Sequence, residues 1–137
     1  MRMRGWQTCA VCVLAAACGH ETIAERIAEH DRVRQSWVQT ARFVGLEWSR
    51  RAIPDAFAER TLARTREELQ SEERKLEADR LPDTERERLR ASLEGAIAFA
   101  DSLRHQLSSS DASSVARLVE RAPAPSSDSL LRRAELR

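Results

Sequence analysis

Apolar residues in this chain recur at three- and four-residue spacing from about position 21 onward, with no alternating run long enough to argue for a strand. The pattern predicts helices, and prolines divide them. Ile53-Pro54-Asp55 and Leu81-Pro82-Asp83 each put proline where a new helix can begin and an old one can hardly continue. Three long helices are therefore predicted near 21 to 51, 54 to 80 and 84 to 108, the third with Thr84 and Glu87 at capping-box spacing. Residues 108–111 read as a break, and 112 to 121 as a short amphipathic helix on Val115, Leu118 and Val119. An Ala/Pro/Ser linker follows, and the last ten residues read as a frayed helix or disordered.

Folding the near-heptad repeat back on itself tests whether the helices match. A turn near Pro82 sets Leu76 beside Leu89, Leu69 beside Ala96 and Leu62 beside Leu103. A turn near Ile53 sets Trp48 by Ala58, Val44 by Leu62, Trp37 by Leu69, Arg34 by Glu72 and His30 by Leu76, with large side chains falling opposite small ones. The expected fold is all-α: an antiparallel three-helix bundle over 21–108, or an extended helical hairpin with coiled-coil-like packing, plus a dispensable short helical tail over 109–137. Arg34 and Glu72 form the one charged pair on the seam and read as a structural ion pair that fixes register. Trp37 and Trp48 share a helical face, as core stripe or as anchors for a partner. Helix two carries few large apolar residues, which leaves homodimerisation through it open.

Residues 1–19 follow a different logic. Arg2 and Arg4 precede an uncharged run from Gly5 that closes on Leu14-Ala15-Ala16-Ala17-Cys18-Gly19. A basic n-region, a short apolar h-region and small residues before a cleavage point make a secretory signal, with cleavage between Ala17 and Cys18. The run is shorter than the roughly 20 residues a spanning helix needs. The cysteine directly after small residues resembles the lipobox of bacterial lipoproteins, although Ala15 stands three residues before it where leucine is commonest. The resemblance covers residues 1–19 only. It implies removal of 1–17, lipidation of Cys18 with residues 18–20 as the lipidated N-terminus, and residence at the outer membrane facing the periplasm, because Gly19 is not the aspartate that retains many such proteins. Ala15-Ala16-Ala17 also satisfies the rule for an unlipidated product, soluble in the periplasm or secreted.

Charge and chemistry narrow the function classes. The chain holds 23 basic and 22 acidic residues. Loss of Arg2 and Arg4 gives the mature chain a formal charge of −1, with arginines interleaved among acids, so no nucleic-acid partner is expected. Cys9 and Cys12 leave with the signal, and Cys18 alone cannot form an internal disulfide. No two of His20, His30 and His105 have the spacing of a helical metal site, and no phosphate loop, nucleophile elbow or Cys-His pair occurs. The expectation is therefore no catalytic residue, no metal and no cofactor. The reading that remains is a membrane-tethered helical lipoprotein that contacts an unidentified envelope protein as an interaction or scaffolding module. The alternative is a periplasmic stress protein that binds unfolded chains or metal on an amphipathic surface, although the L-T-x-x-Q repeats of one such chaperone family are missing.

Overall fold

The computed structural model describes residues 21–122, so Ala17, Cys18 and everything after 122 lie outside the described residues. Four helices make up the regular structure among them: α1 (Ile23–Ser49), α2 (Asp55–Ala78), α3 (Asp83–Ser108) and α4 (Ala112–Arg121). They pack as an all-α bundle in which α1, α2 and α3 run up, down and up.

Local chemistry sets the ends. Thr22 and Glu25 form a reciprocal capping box: the Thr22 hydroxyl accepts from the Glu25 N–H at 3.1 Å, and the Glu25 carboxylate accepts from the Thr22 N–H at 2.7 Å. The box expected at Thr84 and Glu87 is not used, because α3 begins at Asp83 with Pro82 as its N-cap, which puts Thr84 inside the first turn. Both α1 and α3 end in a pair of crossed bonds. The Arg51 N–H donates to the Trp48 carbonyl and the Ala52 N–H to the Glu47 carbonyl, and Ser110 and Asp111 repeat this on Leu107 and Gln106. That motif needs a left-handed residue, here Arg51 (φ 61°) and Ser110 (φ 58°) where glycine is usual.

The α2/α3 hairpin keeps the expected register, tied by Arg66 to Asp101 and Arg90 to Glu77. The α1/α2 pair keeps the expected register as well: Trp48 with Ala58 and Val44 with Leu62 share one core layer, and His30 reaches both Glu72 and Asp79, which flank Leu76, the residue expected opposite it. Glu72 is nevertheless met by His30 and not by Arg34.

The core has two apolar layers. One holds Val38, Leu69, Leu76, Leu81, Leu89, Leu93 and Ala96. The other holds Ala41, Val44, Trp48, Ala58, Leu62, Leu103, Leu107, Val115 and Val119. The last two residues belong to α4, and this corrects the reading of a dispensable tail. Val115 is fully buried and Val119 is 6% exposed, each burial being worth about 1.5–3 kcal/mol. Gly45 explains the fit: a Cβ there would lie 2.9 Å from a Val119 methyl and 3.2 Å from a Leu103 methyl, so only glycine lets α4 settle onto α1.

Candidate functional site

Among the described residues, the one group of buried charges on the seam lies where α1 passes the end of α2. Glu72 occupies a position that the heptad pattern of Leu62, Leu69 and Leu76 reserves for an apolar residue, and it is only 3% exposed. A carboxylate at such a position requires partners. It has two: His30 Nδ1 at 2.7 Å from Oε1, and Lys75 Nζ at 3.1 Å from Oε2. The other ring nitrogen of His30, Nε2, lies 3.2 Å from Asp79 Oδ2, and Arg26 Nη1 meets Asp79 Oδ1 at 2.5 Å. The five groups alternate in sign capacity along the line Arg26, Asp79, His30, Glu72, Lys75, and tie the start of α1 to the last turns of α2.

Burial by itself pushes the Asp79 carboxyl upward. Hydrogen bonds from His30, the Arg80 N–H and Arg26, with the Arg26 charge, outweigh it and hold the group below its ordinary value. Each ring nitrogen of His30 faces a carboxylate, and only the imidazolium donates at both. The chemistry of this cluster is a clamp between helices. An open hollow of about 420 Å³ lies beside it, lined by Glu21, Arg26, Glu29, His30, Lys75, Ala78 and Asp79. No group of three His, Cys, Asp or Glu among the described residues is arranged to hold a metal ion.

The residues singled out from the sequence fall differently. Arg34 is not Glu72's partner; it pairs within its own helix with Asp31 at 3.5 Å. Trp48 is not a partner anchor. It is 2% exposed in the second layer, its indole N–H donates to Asp55 at 2.7 Å, and the Arg51 guanidinium lies 5.7 Å above its ring. Trp37 is half-buried against the other layer. Among the described residues the exposed aromatics are Phe43 and Phe57, at 62% and 46%. His30 was missed as the partner of Glu72, and Asp79 as the second partner of His30; the available signal was an acid on an apolar stripe with a histidine one turn from the position opposite.

No helix among the described residues is long and apolar enough to cross a membrane. The fold class is an all-helical bundle. Comparison with known proteins goes no further, since no family model, curated protein or solved structure matches the chain.

Proposed function

We propose that this chain is a bacterial lipoprotein, anchored through Cys18 at the outer membrane and facing the periplasm, whose helical domain is a protein-interaction or scaffolding module. The observation that carries the reading is how closely the folded domain follows the lipobox-like segment. Thr22 already caps α1, so only residues 19–21 separate Cys18 from the first helical turn. A lipid on Cys18 would hold the start of α1 and the α2/α3 turn at the bilayer, and would set the opposite end of the 27-residue α1 about 40 Å away. Tethering of that kind raises the effective concentration of the domain for partners at the membrane. Phe43, Phe57 and Ile23, not the buried Trp48, are the large apolar side chains available to such a partner among the described residues.

Labelled-palmitate incorporation and membrane fractionation of Cys18→Ser test the anchor. Stable anchoring takes more than one acyl chain, so loss of the acceptor should release the protein. Undiminished label and membrane residence in the variant would refute the anchor. Photo-crosslinkers at Phe43 and Phe57 in intact cells, and complementation by an untethered Cys18→Ala form, test the module. Full rescue by the untethered form would defeat the tethered reading in favour of a diffusible protein that binds unfolded chains.

A further inference from the structure

The outer groove between α1 and α3 is only half filled. Its lower half holds α4, seated over Gly45 and against Leu103. Its upper half is an open apolar trough of about 320 Å³, lined by Val38 of α1 and by Ala91, Gly95, Ala96 and Phe99 of α3. Ala91, Ser92, Gly95 and Ala96 leave the α3 side low, and a Cβ on Gly95 would meet nothing within 4 Å. The top of the trough is bounded by charge: Asp31 reaches toward Arg88 across the two helices, and Arg34, paired through Nη2 with Asp31, has a buried Nε without a partner.

The direction of the chain says what can fill it. α4 climbs the groove and ends at its midpoint, where Arg42 Nη1 holds the Ala122 carbonyl at 3.1 Å. Residues 123–137 follow from that point. From Arg42 up to Asp31 is eleven residues of α1, about 16 Å. A helix over residues 128–137 spans about 15 Å. On such a helix Leu130, Leu131 and Ala134 share one face, flanked by Glu135 and by Arg133. Large apolar residues on that face would meet the small residues of α3, as interdigitated layers require, and Glu135 offers a carboxylate to the Arg34 end.

We infer that the upper α1/α3 groove is the docking site of this chain's own residues 128–137, which continue the interface that α4 begins and give the bundle a fourth helix along its whole length.

The test uses a thiol placed in the trough. Gly95→Cys adds a side chain into open space, and Ser102→Cys, exposed two turns further along the same stripe of α3 and outside the trough, serves as control. Alkylation at each site is followed by mass spectrometry in the full chain, in a chain ending at Ala122, and in the full chain carrying Leu130→Asp with Leu131→Asp. The chain ending at Ala122 keeps α4 and hence the core. Labelling at position 95 should be at least about tenfold slower in the full chain than in either altered form, with position 102 unchanged. Equal rates at position 95 in all three would overturn the inference. So would a slow rate that survives truncation and rises with dilution, which would assign the groove to a second copy of the chain.

Discussion

Removing His30 should harm this protein more than removing His30 and Glu72 together. In His30→Leu the Glu72 carboxylate stays at 3% exposure with Lys75 as its remaining partner, and that lysine side chain is 66% exposed. Stranding a buried charge costs about 3–5 kcal/mol. Lys75 reaches in from solvent and relieves part of this, which sets the expectation at the lower end, about 3 kcal/mol. Glu72→Leu is milder, because His30 keeps Asp79 at 3.2 Å and the new leucine extends the stripe of Leu69 and Leu76; a loss of about 1–2 kcal/mol is expected. The double variant buries two apolar side chains and strands neither partner, so it should lie within about 1 kcal/mol of the parent. Urea unfolding at neutral pH, followed by far-ultraviolet circular dichroism, measures all four corners of the cycle. At about 4–8 °C per kcal/mol for a domain near 100 residues, the His30→Leu thermal midpoint should drop by more than about 10 °C. Effects that add to within about 0.5 kcal/mol would refute the argument and mean that Glu72 is solvated.

Two further outcomes follow from α4. A chain ending at Ser108 uncovers Val44, Trp48 and Leu103, so it should lose about 3 kcal/mol or more and show red-shifted, quenchable tryptophan emission; an unchanged urea midpoint would contradict the core described above. Asp111 caps α4, and bonds from the Ser114 hydroxyl, the Ser113 hydroxyl and the Ser114 N–H lower its carboxyl to about 2. A lowered folded value means that this contribution is complete above the ordinary 3.8 and disappears as pH falls toward 2. Asp111→Asn, which still caps, should therefore flatten the acid dependence of stability between about pH 4 and 2, and an identical acid profile would count against the cap.

Helix positions were legible because Pro54 and Pro82 punctuate a three-to-four repeat that has no competing strand pattern. The α2/α3 register was legible too: Leu62, Leu69 and Leu76 find Leu103, Ala96 and Leu89 opposite them, and the turn at Pro82 is short. The α1/α2 register was legible as well, but the partner of Glu72 was not: His30, expected beside Leu76, reaches one way to Glu72 and the other way to Asp79, while Arg34 turns to Asp31 in its own helix. The left-handed turn at Arg51 was hidden too, since arginine, unlike glycine, gives no sign of it. Three apolar residues, Val115, Leu118 and Val119, made α4 look too poor in apolar surface to matter. The value of the valines comes from Gly45, whose missing side chain opens the slot they fill, and a glycine in mid-helix does not say what approaches it.

The seating of Val119 against Gly45 also has a meaning in time. Seventy-four residues separate the two, and the chain emerges from the ribosome with α1 first and α4 last. Local pairing of α2 with α3 can form early, whereas the layer around Trp48 stays open on one side until α4 arrives. A nascent chain that lacks α4 thus keeps an unsealed apolar edge, which holds it in a loose state until that helix has been made.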